Sequence, residues 1–313
     1  MERSLFATGT TTNRKRAISI KGVSMMALPY ELLTVDRIVA DWNSAIALFQ
    51  YPFMQRALIG GIVIGFTGGL LGSLTVVRQL SFFSDALGHS TMLGISLGIV
   101  WGISPSVIVL PFALLFALGF NYLIEKTDLW TDALLNLIYS SSLAISVIVL
   151  SLSGTYQGNL NSLLFGDILA LQLSDLGISS LLLATCALFM GLSLRTQMLL
   201  TLHEPLAIAR GVNIKVHRNV FTVLLSLVVA TSIKAIGVLL VGAFIVIPAC
   251  AARSFSRNFS SYVVLSAGLG ALSAAIGMLA SALFNLPSGP SIVVAQLLLF
   301  LGAIALPSAK RFA

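Results

Sequence analysis

The stretch that decides the fold is residues 57–77, ALIGGIVIGFTGGLLGSLTVV, a run of 21 residues without a charged side chain. As an α-helix it extends about 30 Å, the thickness of the hydrocarbon core of a bilayer. Small residues spaced three to four apart let membrane helices approach closely. The run therefore predicts a membrane helix in tight contact with another helix, while a dimer interface or a helix lining a narrow pathway stay open as alternatives. The glycines that form this pattern are Gly60, Gly61, Gly65, Gly68, Gly69 and Gly72.

The composition of the whole chain agrees with this interpretation. Of the 313 residues 57% are hydrophobic and 9% are charged, and the mean hydropathy is +0.99. Soluble domains carry about a quarter charged residues, so the sequence indicates an integral membrane protein. The apolar runs are continuous rather than alternating, which favours helices over a transmembrane β-barrel. We therefore expect an all-α, polytopic membrane helix bundle.

Nine apolar runs are long enough to be membrane helices. Two of the breaks between them are weak, at Ser104-Pro105 and at the single Lys234. One of those pairs could therefore contain a broken or partial helix, and we expect eight or nine crossings. The predicted spans are 55–77, 86–103, 105–124, 133–153, 175–195, 219–234, 236–252, 260–284 and 290–307.

The positive residues predict the orientation, because Lys and Arg in short loops stay on the cytoplasmic side. A nine-span arrangement places ten of them on one side, whereas the other side holds only Arg37, Arg56 and Lys234 beyond residue 24. This predicts a cytoplasmic C-terminus and an outer position for residue 54. The ten are Arg78, Lys126, Arg195, Arg210, Lys215, Arg218, Arg253, Arg257, Lys310 and Arg311.

The N-terminal part divides into two segments before the membrane domain. Residues 1–24 form a basic tail that contradicts the predicted orientation, and we expect either that Met25 or Met26 is the natural start or that the tail binds anionic lipid. Residues 25–53 are predicted to lie along the outer interface as an amphipathic segment bearing Trp and Tyr. Residues 54–309 are predicted to be the transmembrane domain. The net charge of +7 then reflects loop residues, and we expect no nucleic acid partner.

Several classes of site have no signature in the sequence. Cys186 and Cys250 lie far apart in apolar runs and are interpreted as packing residues. The phosphate-binding motif GxxxxGK[ST] is absent, as are HExxH and GxSxG. We therefore expect no enzyme, no bound cofactor and no nucleotide site of the chain's own. If ATP drives this protein, a different chain binds it.

Asp85 and His89 are the candidate metal ligands. Their separation of four residues stacks them on one face of a helix, about 6 Å apart at Cβ, and His89 is the only histidine within a predicted span. Carboxylate and imidazole together suit Mn²⁺, Zn²⁺ or Fe²⁺. A transport site can be incomplete, because the ion must leave as well as enter. The alternative is that Asp85 caps the second span and His89 bonds a backbone carbonyl.

The segment TLHEPLAIARGVNIKVHR, residues 201–218, is the second candidate. Apolar and charged residues alternate in it, and Gly211 is placed to end a short helix. A short amphipathic helix on the cytoplasmic side suits docking to another protein. An ordinary solvated connection between two spans is the alternative.

Six blocks of the chain, in this order, resemble the permease subunits of bacterial ATP-binding-cassette importers for manganese, zinc and iron, which are similar to cobalamin-type importers. The resemblance covers residues 50–309. The blocks are GGLLGSLTVVRQLSFFSDALGHS, DALLNLIYSSSLAISVIVLS, SLLFGDILAL, HEPLAIARGV, GVLLVGAFIVIPACAAR and SGPSIVV.

The resemblance implies roles for particular residues. The family pattern RxxSxxGDAxSHA implies that Asp85 and His89 coordinate the passing metal, although Ser84, Gly88 and Ser90 replace other small residues of that pattern. The family's coupling helix, DExxAxAxG, corresponds to a segment in which His203 replaces the leading aspartate. The residues implied to couple the permease to the ATPase are Glu204, Ala207, Ala209 and Gly211.

The resemblance also implies the partners. These are a second permease copy, a cytoplasmic ATPase dimer and an extracytoplasmic solute-binding protein that docks near TYQGNLNSLLFGD and NLPSGPSIVV. We therefore expect a permease in the bacterial inner membrane that imports a divalent transition metal, manganese first and then zinc or iron, by alternating access. A secondary transporter that exchanges a metal cation for protons is the alternative, and it would need no docking helix.

Overall fold

The computed structural model describes residues 48–153 and 164–305, and these contain ten α-helices, one short 3-10 turn at Ile168–Ala170 and no strand. The expectations about residues 1–24, most of 25–53 and most of the TYQGNLNSLLFGD segment lie outside the described residues. The helices are α1 Pro52–Val77, α2 Phe83–Val100, α3 Pro105–Lys126, α4 Thr131–Ser153, α5 Leu173–Leu202, α6 Glu204–Ala209, α7 Ile214–Ile236, α8 Val241–Phe255, α9 Phe259–Phe284 and α10 Ser288–Ala305.

Nine of these helices coincide with the nine predicted spans, and the tenth is the short helix α6. Within the described residues, seven are long and apolar enough to cross a bilayer: α1, α3, α4, α5, α7, α9 and α10. The helix α2 is not among them, because Asp85 and His89 lower its hydropathy. The helix α8 has only 15 residues, which give it about 22 Å. Of the two weak breaks, the one at Lys234 is therefore followed by the shorter helix, and α8 is the expected partial helix.

Two glycines of α1, Gly65 and Gly69, lie against α9 with almost no space between the two backbones, and Gly72 lies equally close to the backbone of Ile245 on α8. A Cβ atom built at Gly65 or Gly69 would overlap the backbone of Gly270 or Ser266. The Ser266 hydroxyl donates a hydrogen bond of 2.5 Å to the Gly69 carbonyl oxygen. The predicted tight helix contact is confirmed, and its partners are α9 and α8. Such contacts are typical of membrane bundles, where dispersion and interhelical hydrogen bonds replace the hydrophobic effect.

The bundle has two ends that differ in their ion pairs. At one end Glu125 of α3 accepts hydrogen bonds from Lys215, at 3.1 Å, and from Arg218 of α7. At the other end Lys234 forms an ion pair of 2.6 Å with Asp175 of α5. Lys234 thus has an ion-pair partner that lies 59 positions away along the chain. The pair is partly exposed, so its contribution to stability is small.

Candidate functional site

The helix α2 places the candidate metal ligands, and aromatic packing fixes where α2 begins. Phe83 is fully buried and lies edge-on to Phe116 and Phe120 of α3, with ring centroids 5.6 and 5.2 Å apart. Asp85 follows in the first turn of α2, where the helix dipole favours a negative charge. Asp85, the third residue of α2, is therefore held at a defined position relative to α3.

Asp85 is half-buried and lies against the first turn of α8. A Cβ atom built at Gly242 would overlap the Asp85 carboxylate, so a larger residue at this position would require the carboxylate to move. Between the two ligands, Gly88 faces Val238 and Val241, and a Cβ atom there would meet their methyl groups at 3.4 and 3.5 Å. The start of α8 and the connection before it therefore form one wall of the site.

His89 is also half-buried, and an aromatic ring from α4 orients it. The imidazole lies edge-on to Tyr139, with ring centroids 5.1 Å apart. Tyr139 in turn contacts Phe82, at 6.2 Å between centroids. Sequence reasoning did not identify Gly242 or Tyr139, because both contact the ligands over separations of 50 residues or more along the chain.

Asp85 and His89 make the site polar, and neither side chain has a hydrogen-bond partner among the described residues. The N-cap of α2 is Phe82, which makes no side-chain capping bond, so Asp85 does not cap the helix. In the described part of the chain the side chains of Asp85 and His89 make no hydrogen bond, and Asp85 has no Lys or Arg partner. The two groups interact electrostatically with each other. The hydrogen bond from His89 to a backbone carbonyl that the alternative requires is not seen among the described residues.

The number of ligands is small. Residues 48–153 and 164–305 contain no group of three or more His, Cys, Asp and Glu side chains that could hold a metal ion. Tight structural zinc takes four protein ligands, whereas octahedral Mn²⁺ takes six ligands including waters. Asp85 and His89 alone thus suit a weak and exchangeable site.

Gly242→Ala is expected to lower metal import by about tenfold, since displaced coordination costs 10- to 100-fold in metal affinity. The added methyl group would overlap the Asp85 carboxylate and force it from its position. The measurement is manganese uptake at matched membrane expression. Gly88→Ala is the control, because its methyl group meets Val238 and Val241 at ordinary contact distance. Equal uptake by the two variants would contradict the assignment of Asp85.

The predicted docking helix forms as α6, six residues long. Pro205 lies in its first turn, and it ends at Arg210, followed by Gly211 with φ +76°. The Val212 N–H donates to the Ala207 carbonyl oxygen at 3.1 Å and closes the turn. The left-handed backbone at residue 211 favours glycine, as the sequence predicts.

The predicted coupling residues occupy different positions on α6. Ala207 is fully buried and anchors the helix, whereas Glu204, Ala209 and Gly211 are exposed. Two large apolar side chains, Leu206 and Ile208, also lie 46% and 59% exposed. Apolar side chains in the open at a charged end of the bundle are unfavourable unless something covers them. The structure places α6 against the end of α5, apart from the two candidate ligands.

Comparison with known proteins gives consistent matches. The profile of the ABC 3 transport family matches residues 50–307. The manganese import system permease protein ScaB of Streptococcus gordonii is 30% identical over 85% of this chain and 95% of its own. The high-affinity zinc uptake system membrane protein ZnuB of Haemophilus influenzae is 32% identical over 80% of this chain and 96% of its own.

Solved structures agree with these sequence matches. PsaBC from Streptococcus pneumoniae, solved in complex with Fab, is 28% identical with a TM-score of 0.73, over 86% of this chain and 96% of that one. A metal-chelate type ABC transporter in an inward-facing conformation is 18% identical with a TM-score of 0.60, over 80% of this chain and 85% of that one, and shows the same fold. Because the family profile covers most of the chain, from residue 50 to residue 307, this protein belongs to the ABC 3 transport family.

Proposed function

We propose that the chain is the permease subunit of an ATP-driven importer of a divalent transition metal, with manganese the first candidate and zinc or iron next. The observation that carries this proposal is the match over nearly the full length of relatives named for manganese and zinc transport. The free carboxylate and imidazole on α2 support it, since they suit these metals. The metal is the transported substrate rather than a resident cofactor.

In this proposal the ion enters between two permease copies, and Asp85 with His89 hold it briefly. Two copies would double the number of ligands, which supports a homodimer because one copy supplies only two. An extracytoplasmic solute-binding protein delivers the metal, and a cytoplasmic ATPase dimer binds α6 through Glu204, Ala209, Gly211 and the exposed Leu206 and Ile208. The protein spends no ATP itself. Its transport step requires that the metal interact differently with the outward and inward states.

The orientation follows from the ends of the bundle. The end with α6 also holds Arg78, Lys215 and Arg218, and positive residues favour the cytoplasmic side. We therefore place this end and the C-terminus in the cytoplasm of a bacterial cell, and the start of α1 outside. In this proposal residues 54–309 form the permease domain in the inner membrane.

The test compares total cellular manganese, zinc and iron in a strain that lacks this gene, with and without the wild-type gene restored. We expect manganese to recover, and only in cells that also carry the partner ATPase. Recovery of zinc or iron instead would reject manganese as the substrate. Recovery without the ATPase, abolished by a protonophore, would replace the proposal with the secondary transporter. No change in any metal would reject metal import altogether.

A further inference from the structure

Arg78 is a partly buried cation whose partners are all neutral. It follows the last residue of α1, and its guanidinium lies 4.9 Å from the centre of the Phe221 ring. It donates one hydrogen bond to Gln197 Oε1 and another, of 3.4 Å, to Thr201 Oγ1. No carboxylate pairs with it in the part of the chain that the structure describes. Withdrawing a charge from water without a counter-charge is unfavourable even when burial is partial, so this arrangement calls for a reason beyond packing.

Gln197 extends the contacts of Arg78 to a third helix. It is fully buried, and its amide nitrogen lies 3.3 Å from Ser193 Oγ and 3.3 Å from His217 Nδ1. The Thr201 hydroxyl donates a 2.7 Å bond to the Gln197 carbonyl oxygen. The set of Arg78, Gln197, Thr201 and His217, which we term the Arg78 network, thus joins the end of α1 to the end of α5 and the start of α7.

The Arg78 network flanks the docking helix on both sides. Thr201 lies two residues before His203, at which α5 ends and α6 begins. His217 lies in the second turn of α7, which follows α6 after a short connection. If α6 moves and shifts the end of α5 or the start of α7, the residues that the Arg78 side chain contacts therefore move as well.

On its other side Arg78 adjoins the turn that leads into α2. Gln79 has φ +57°, a conformation that non-glycine residues rarely adopt. Gln79, Ser81 and Phe82 line one wall of an open cavity of about 680 Å³, and Asp132 and Asn136 of α4 line the opposite wall. The turn is thus strained and has free space beside it. Asp85 lies only a few residues further along the chain.

We propose that Arg78 is a positioning residue that couples movement of α6 to the metal ligands on α2. When the end of α5 and the start of α7 shift, the guanidinium shifts the turn at residues 78–82 toward the cavity and moves Asp85 with it. Arginine suits this role because its planar group bonds two partners and stacks on an aromatic ring at the same time. The inference rests on the proposed function, since it presumes ATP-driven metal transport.

The test uses the complete permease–ATPase complex in liposomes and records manganese uptake and ATP hydrolysis together. Lysine retains the charge of Arg78 but not the paired contacts. We expect Arg78→Lys to keep ATP hydrolysis near the wild-type rate and to lower the manganese transported per ATP by about tenfold, within the range of known coupling effects. Arg257→Lys is the matched control, because Arg257 is exposed in the α8–α9 connection.

A second variant keeps the inference testable if Arg78→Lys does not assemble. Gln197→Leu approximately preserves the side-chain volume and removes all three contacts of the amide, with Arg78, Ser193 and His217. We expect it to lower the manganese transported per ATP as well. Combining the two substitutions should lower it no further than either alone, because both break one network. An unchanged ratio, or an equal fall in uptake and hydrolysis, would overturn the inference. Wild-type complex that takes up no metal would instead reject the proposed function.

Discussion

Replacing Asp85 and His89 together by alanine is expected to abolish manganese uptake by the assembled permease–ATPase complex. The two side chains lie on one face of α2 without hydrogen-bond partners among the described residues, so in the proposed function their loss removes both candidate ligands of the site. We expect uptake to fall by more than about a hundredfold, since the loss of a mere outer-shell partner costs 10- to 100-fold in affinity. The measurement is uptake into liposomes together with manganese binding to the detergent-purified complex.

Asp128→Ala is the control for this double variant. Asp128 is an exposed carboxylate in the connection between α3 and α4, and removing it subtracts a charge without touching α2. The control should transport at the wild-type rate. If the double variant transports equally well, the ligands lie elsewhere, and the unpaired state of Asp85 and His89 would need another explanation.

Gly270→Val is expected to prevent the bundle from assembling. A Cβ atom at Gly270 would overlap the carbonyl oxygen of Gly65, and no rotamer relieves an overlap with backbone. The helices α1 and α9 would have to separate along their longest contact. Overpacking a protein interior costs about 1–3 kcal/mol even when side chains can adjust, and we expect a larger loss here. The measurement is the yield of monodisperse protein in detergent and its thermal melting.

Gly268→Val provides the matched control on the same helix. No atom lies within 4 Å of a Cβ atom built at Gly268, so the same side chain is introduced two residues away without an overlap. This variant should purify and melt like the wild type. A similar loss of yield and melting temperature in both variants would mean that valine disturbs α9 itself. The contact with α1 would then not be what limits assembly.

The helices were predictable because their signal is local. The predicted span 260–284 differs from the helix Phe259–Phe284 by one residue, and the short helix α6 was foreseen from Gly211 and its alternating pattern. The span 236–252 starts five residues too early. At that point Gly237 has φ +90° and its backbone touches Phe165 and Gly166. A hydropathy pattern cannot predict a contact between segments about 70 residues apart, because it reports only on the local sequence.

The position of the two candidate ligands on one helix was predictable, but their surroundings were not. Spacing on one helix brought Asp85 and His89 together, and the structure places them so. Their walls come from Gly242 on α8 and Tyr139 on α4, which only the tertiary fold brings near. Lys234 shows the same limit, because its ion pair with Asp175 depends on how α5 and α7 meet.

The backbone contact between α1 and α9 also restricts the degrees of freedom of the transporter. Helices separated by side chains can slide as rotamers change, but helices whose backbones touch can neither roll nor translate without steric overlap. The Ser266–Gly69 hydrogen bond fixes their register as well. The two helices therefore move as one rigid body. Gly72 of α1 lies equally close to the Ile245 backbone, so α8 belongs to the same body. In the proposed transport cycle we therefore expect the relative motion to arise between these three helices and the rest of the bundle.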